Sequence, residues 1–211
     1  MAKRIFITAT NTDVGKTYTT IKLLHFYAEM GLKVGVIKPL ETGVQAAPID
    51  GTLLFKTICE LNPAMAVLSI NDIVPLQFEL PAAPYIANHA KPIDFNAIDA
   101  ALEKVEALCD VLLIEGAGGL LVPLDKTHMI IDLIPYFKAK TLLVSHGDLG
   151  CINDTLQNIQ TLKNAKIDFQ WAINCKNYKS FEKVSKPYFD DTFSSYFIIN
   201  SNFRDLAKTL L

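Results

Sequence analysis

Short, almost wholly apolar runs alternate along this chain with longer segments whose apolar residues return every three or four positions. The short runs are Arg4–Ala9, Lys33–Lys38, Val111–Glu115, Thr141–Ser145, Phe169–Asn174 and Tyr196–Ile199. A strand with one wet face would alternate apolar and polar residues, so these runs read as strands covered on both sides. Lys16–Met30, Gly51–Glu60, Asp94–Cys109, Ile152–Ala165 and Phe203–Leu211 read as helices. In the first of them Thr17, Ile21, Leu24 and Ala28 recur at helical spacing, and Gly31 supplies the stop. The alternation predicts an α/β fold, a three-layer sandwich with a mainly parallel sheet flanked by helices. Pro75, Pro81, Pro84 and Pro92 mark a region expected to consist of long loops. Ligands of such sheets bind beyond the carboxyl ends of the strands, so the strand ends carry the candidate chemistry.

After the first strand comes Val14-Gly15-Lys16-Thr17, opening the first helix. Backbone N–H groups of such a turn point at phosphate oxygens, the lysine adds charge and the threonine hydroxyl reaches a magnesium ion. A strict Walker A loop has glycine where Thr10 stands, so the motif alone is weak. Its setting strengthens it, because a lysine in the first helical turn opposes the helix dipole unless an anion is close. The second strand ends in Lys38-Pro39-Leu40-Glu41-Thr42-Gly43. Lys38 is either a solvated strand end or a second cation facing the crevice of Lys16, an arrangement suited to phosphoryl transfer. Val111-Leu112-Leu113-Ile114 followed by Glu115 has the Walker B form, with Glu115 either a metal-holding acid or a turn cap. Asp50, opening a helix at Asp50-Gly51, is by itself more often an N-cap than a ligand.

With 211 residues, half of them hydrophobic, the chain can bury a sizeable core as a single domain spanning residues 1–211. Its 20 basic and 22 acidic residues leave a net charge of −2, which argues against nucleic acid as a partner. No run reaches the ~18 apolar residues of a membrane span, and the one after Met1-Ala2-Lys3-Arg4 is short for a signal peptide, so a cytoplasmic protein is expected. Cys59, Cys109, Cys151 and Cys175 are expected to be reduced and mostly buried. None of the four histidines has a metal-ligand neighbour at suitable spacing, and His25, within the first helix, is expected to be structural.

Thr12-Asp13-Val14-Gly15-Lys16-Thr17, Lys38-Pro39, Thr42-Gly43, Glu115-Gly116-Ala117-Gly118-Gly119 and Leu149-Gly150-Cys151-Ile152-Asn153 resemble, in order and spacing, the motif series of the dethiobiotin synthetase family. The resemblance implies a P-loop NTPase-like domain that uses ATP and Mg2+ to close a cyclic urea from 7,8-diaminononanoate and CO2. A carbamate forms, takes the γ-phosphoryl group, and the second amine attacks the resulting anhydride. By the same resemblance Asp13, Val14, Gly15, Lys16, Thr17, Tyr18, Asp50, Glu115, Gly116, Ala117, Gly118 and Asn174 surround the nucleotide. Thr17, Asp50 and Glu115 hold the metal, and Lys16 and Lys38 are catalytic. Thr12, Lys38 and Thr42 contact the substrate, while Gly150, Cys151, Ile152 and Asn153 receive its carboxylate across a homodimer interface.

Departures from the family pattern carry their own expectations. Ala9 replaces a usual glycine, and Ser145-His146-Gly147-Asp148 stands where a basic residue is common. The motif that completes the base pocket is missing around Tyr196-Phe197-Ile198-Ile199-Asn200, so weak base selectivity is expected. A partition-type or metal-insertion ATPase, acting as a dimer switch, is the chief alternative. Such proteins usually carry a second lysine inside the loop, and none lies between Ala9 and Gly15. A corrin amide synthetase is a further alternative, but its usual glutamine-hydrolysing domain would not fit in 211 residues.

Overall fold

The computed structural model describes residues 2–211. In chain order its N-terminal half comprises β1 (Lys3–Ala9), α1 (Lys16–Glu29), β2 (Val34–Ile37), β3 (Leu40–Thr42), α2 (Ile49–Leu61), α3 (Ile70–Ile73), β4 (Leu76–Phe78), α4 (Pro84–Ala87) and α5 (Phe95–Glu106). The rest comprises β5 (Val111–Gly119), α6 (Leu133–Phe137), β6 (Lys140–His146), α7 (Cys151–Asn164), β7 (Phe169–Asn174), α8 (Tyr178–Val184), α9 (Lys186–Thr192), β8 (Phe197–Ile198) and α10 (Phe203–Thr209). Six strands pair in the order β2-β5-β1-β6-β7-β8, every neighbouring pair parallel. Parallel neighbours need crossover connections, and the right-handed rule sends α1 to one face and α5, α6 and α7 to the other. α1 packs against α2 and α10. The buried apolar residues form one contiguous cluster between these layers.

Each predicted strand and helix is present, with ends shifted by a few residues. β5 runs four residues past Glu115, because Gly116–Gly119 continue as an irregular strand. Ile7 pairs with Glu115 but Ala9 pairs with Gly119, so residues 116–118 oppose Thr8 alone and are pushed out over the end of β1. Gly118 takes φ +64°, and a Cβ on Gly119 would lie 3.1 Å from the Thr10 carbonyl oxygen. The glycines therefore permit the excursion.

Three expectations need correction. The proline-marked region is not all loop: Leu76–Phe78 pairs parallel with Leu40–Thr42 in a small second sheet, and Pro84–Ala87 is helical. The inner face of α1 is formed by Thr19, Thr20, Leu23, Leu24, Phe26 and Tyr27, while Thr17, Ile21 and Ala28 are only half-buried and His25 is exposed. The four cysteines are free, but only Cys151 and Cys175 are buried. Burial pushes the Cys175 thiol up to about 11 and that of Cys109 to about 12, which keeps both protonated.

α8 and α9 lie beyond the sequence reading because neither is long enough to establish a period. They carry Phe181, Phe189 and neighbouring aromatics onto β7, where Trp171 stacks on Tyr196 at 5.5 Å and meets Phe193 edge-on at 4.9 Å. Among the described residues no helix is long and apolar enough to cross a membrane.

Candidate active site

β1 lies where the chain's crossovers reverse direction, between β5 and β6, and its carboxyl end opens into the loop Thr10–Gly15. Asp13 (φ 58°) and Gly15 (φ 106°) both take left-handed backbone there. At φ 106° an L side chain would be strained, and a Cβ on Gly15 would also come within 2.1 Å of Asn174 Nδ2 and force that side chain to move. That amide donates to the Val14 carbonyl at 2.9 Å and so ties the loop to the end of β7. α1 starts without a side-chain cap and with no acidic residue in its first turn. Its free N–H groups and the positive end of its dipole therefore face the cleft uncompensated, as an anion site requires.

Lys16 is buried and donates from Nζ to Asn11 O (3.1 Å) and Gly118 O (2.9 Å), joining the loop to the excursion of β5. Burial first, and the nearby Lys38 second, push its ammonium down to about 8. Lys38 leaves β2 with its N–H on Ile73 O, and its buried Nζ reaches Glu115 Oε1 at 2.8 Å and Asp50 Oδ2 at 3.1 Å. Burial opposes the charge on Lys38, but the carboxylates of Glu115 and Asp50 outweigh it and hold the ammonium above its usual value. The strand-end alternative for Lys38 is thereby excluded: its side chain is only 4% exposed and is ion-paired.

Glu115 is fully buried, and both its oxygens are hydrogen-bonded. Oε1 accepts from the Thr17 hydroxyl at 2.9 Å as well as from Lys38, and Oε2 accepts from the Thr20 hydroxyl at 2.8 Å. Asp50 is not the cap of its helix, since α2 begins at Ile49 after Pro48. Glu41 does the capping instead, accepting the N–H groups of Asp50 (3.1 Å) and Gly51 (2.9 Å), which leaves the Asp50 carboxylate to meet Lys38.

A cleft of about 570 Å³ is lined by Thr12, Asp13, Gly15, Lys16, Thr17, Lys38, Glu41, Thr42, Asp50, Ala117, Gly118 and Lys176. Lys16 and Lys38 thus open into one crevice. Val14 and Asn174 instead border an adjoining cavity of about 190 Å³ with His146, Asp148 and Asp154. Glu115 lies behind Thr17 and Lys38, and Gly116 packs near Phe6. Tyr18 stands outside the cleft lining with its hydroxyl on Asn200 Oδ1 (2.9 Å). Gly150, Cys151, Ile152 and Asn153 open α7 away from their own chain's cleft lining, and the Cys151 side chain is buried. In the segment Ser145–Asp148, where the family commonly has a basic residue, His146 Nε2 faces Asp154 Oδ2 at 3.0 Å.

Three contributors escaped the sequence reading. Thr20 is placed by helical spacing from Thr17, a signal present in the sequence. The sequence assigns Glu41 no role, because the backbone groups it caps lie nine and ten positions further along the chain. Lys176 carried no signal at all; the exit from β7 brings its Nζ to 3.4 Å from Asp13 O, beside the phosphate loop.

A glycine-turned loop and helix start at the reversal point of a parallel sheet, with a buried acid on the adjacent strand, define a P-loop nucleotide-binding fold. The family model described as an AAA domain matches residues 3–197. An ATP-dependent dethiobiotin synthetase of a Sulfurovum species is 42% identical over 98% of this chain and 99% of its own length. Another, from Wolinella succinogenes, is 36% identical over 99% and 98%. The chain belongs to the dethiobiotin synthetase family. Among solved structures, a MinC:MinD cell division protein complex from Aquifex aeolicus aligns over 99% of this chain and 86% of that one, with TM-score 0.56 and 19% identity. A plasmid partition protein from Borrelia burgdorferi aligns over 99% and 96% with TM-score 0.55 and 14% identity. At such identities the likeness is one of fold alone, and it does not favour the partition-type alternative.

Proposed function

We propose that this chain is an ATP- and Mg2+-dependent synthetase that closes the cyclic urea of dethiobiotin from 7,8-diaminononanoate and CO2. The observation that carries the reading is the convergence of Lys16, Lys38 and the uncapped start of α1 on one cleft. A carbamate and a triphosphate repel each other, so a site that joins them needs fixed cations, and this cleft is built around two. One substrate amine adds to CO2 and loses a proton to give the carbamate. A carbamate oxygen then takes the γ-phosphoryl group with release of ADP. The second amine attacks the anhydride carbon, the ring closes and phosphate leaves. Lys16 and the N–H groups of Gly15–Thr17 hold the phosphates. Lys38 polarises the carbamate, with Thr12 and Thr42 at the same wall. The nucleophile belongs to the substrate, so the protein's part is positioning and charge stabilisation.

Thr17, Asp50 and Glu115 offer only hard oxygen donors, a set that suits magnesium. Lys38 already bridges the two carboxylates as a cation. When bound, the metal would neutralise charge on the triphosphate. The start of α7 is read as the carboxylate site of a partner subunit, giving a cytoplasmic homodimer with two shared sites. Supporting this, residues 150–153 lie outside their own chain's cleft lining and Leu149 beside them is 87% exposed. The test is direct: diamine, bicarbonate and Mg-ATP should yield a cyclic urea, and ATP turnover without that product would refute the assignment.

Two further outcomes are expected. Lys16 titrates at about 8 in the empty protein and must be charged to hold phosphate, so ATP binding above that pH takes up a proton. Affinity should then fall roughly tenfold per unit as pH rises beyond 8. Calorimetry at pH 9 in buffers of different ionisation heat reads the uptake, and a flat profile would contradict it. Base selectivity should be weak, because the motif that completes the base pocket is missing around Tyr196–Asn200, Asn174 Nδ2 already donates to Val14 O, and Asn200 Oδ1 accepts from Tyr18 and Lys22. Titrations with ATP, GTP and CTP at equal magnesium should give similar affinities; a strong preference for ATP would overturn this.

A further inference from the structure

Lys38 is attached to the two carboxylates assigned to the metal, and its position has a consequence for how the site loads. Its Nζ lies 2.8 Å from Glu115 Oε1 and 3.1 Å from Asp50 Oδ2. Oε1 is also the oxygen that takes the Thr17 hydroxyl at 2.9 Å. Thr17, Asp50 and Glu115 are thus gathered around an ammonium group that belongs to the protein. Glu115 is fully buried and Lys38 nearly so, and a buried carboxylate without a cation is strongly disfavoured. We propose that Lys38 is a tethered counter-ion, occupying the carboxylate pair of the empty protein and released into the cleft only when a divalent ion takes Glu115 and Asp50.

The inference rests on the proposed metal set and adds an order of events to it. A divalent ion and the ammonium compete for the same oxygens, and like charges that close repel. If a divalent ion were brought in by the triphosphate, Lys38 would leave the carboxylates as anions fill the cleft it lines. Its stem is unbranched and flexible, and Thr42 borders the same space, so the freed ammonium can stay in the cleft where bound anions would offset its charge. One lysine then keeps the empty acids paired and later meets the carbamate. A consequence follows for the metal alone: without nucleotide to offset its charge, it competes poorly against the tethered ammonium.

Manganese without nucleotide is the probe, followed by the loss of its free-ion paramagnetic resonance signal. Lys38→Met keeps the stem and removes the charge, and should bind Mn2+ at least about tenfold more tightly than the wild type. Lys38→Arg keeps a cation between the acids and should bind as weakly as the wild type. Lys38→Met combined with Glu115→Gln should lose the gain. Equal Mn2+ affinity in wild type and Lys38→Met would overturn the proposal. Should Lys38→Met fail to fold, the wild type decides. With 15N-labelled lysine, the buried ammonium resonance absent from Lys38→Arg should persist with ADP and shift or vanish on adding Mg2+. A resonance unmoved by ADP and Mg2+ together would overturn the proposal. If cyclic urea forms while the ammonium stays in place, the exchange fails alone. If the exchange occurs but no cyclic urea forms, the assigned reaction fails and the exchange stands.

Discussion

Lys38→Ala is expected to lower turnover by about 10²–10³, as removal of one preorganised charge-stabilising donor does, and to weaken the fold as well. Lys38 is the only cation in contact with Glu115 among the described residues, and Glu115 has no access to water. Removing one partner of a buried pair typically costs about 3–5 kcal/mol. The Thr17 and Thr20 hydroxyls still reach Glu115, which puts the loss near the lower figure. For a chain of this size that is a drop in Tm of roughly 6–12 °C. Because the ammonium is held above its ordinary value of 10.5, its stabilising contribution is complete below that pH and is lost only at more alkaline pH. The deficit should therefore be full at pH 7. Calorimetric melting together with the cyclic urea assay measures both effects, and near-normal turnover would remove Lys38 from the mechanism.

Lys16→Ala should lower turnover by a similar ~10²–10³ while leaving the melting temperature unchanged or slightly raised. The two lysines share a cleft but differ in electrostatic footing. Lys16 is buried with, among the described residues, only the carbonyls of Asn11 and Gly118 within hydrogen-bond reach, and it feels the charge of Lys38. Its ammonium falls from 10.5 to about 8, so in the empty protein its charge opposes folding at neutral pH. That cost is present below about pH 8 and fades as pH rises toward 10.5, where the unfolded chain also begins to lose the proton. Replacing Lys16 removes both the cost and the charge proposed to hold phosphate. A large loss of stability in Lys16→Ala, or turnover near that of the wild type, would contradict this division of roles.

Much of the fold was legible because parallel strands covered on both faces carry continuous apolar runs, and Ile5–Ile7, Val34–Ile37, Val111–Ile114, Leu142–Val144 and Trp171–Ile173 are such runs. The helices around them were visible through period and stop signals. Of the helices of seven residues or fewer only α10 was legible, and α3, α4, α6, α8 and α9 owe their existence to packing. α1 was found but its inner face was displaced, because Thr19 and Thr20 are buried by contacts rather than by apolar character. The Thr20 hydroxyl lies 2.8 Å from Glu115 Oε2 and 3.0 Å from the Lys16 carbonyl oxygen, and its one proton serves one acceptor at a time.

The phosphate loop could be read directly because its parts are adjacent in the chain: a strand, a left-handed glycine, a lysine and a threonine within one turn of helix. Local backbone chemistry is a property of neighbouring residues, and a linear sequence records it. The pairing of Lys38 with Glu115 is of another kind. It exists because β2 lies beside β5 in a register that sets Ile37 against Ile114, bringing the residue after each strand position side by side. Strand order and register come from how whole faces pack, so nothing near residue 38 or residue 115 announces the other. For the same reason only the folded chain shows Glu41 relieving Asp50 of the cap, Asn174 fastening the loop, and Lys176 arriving beside it.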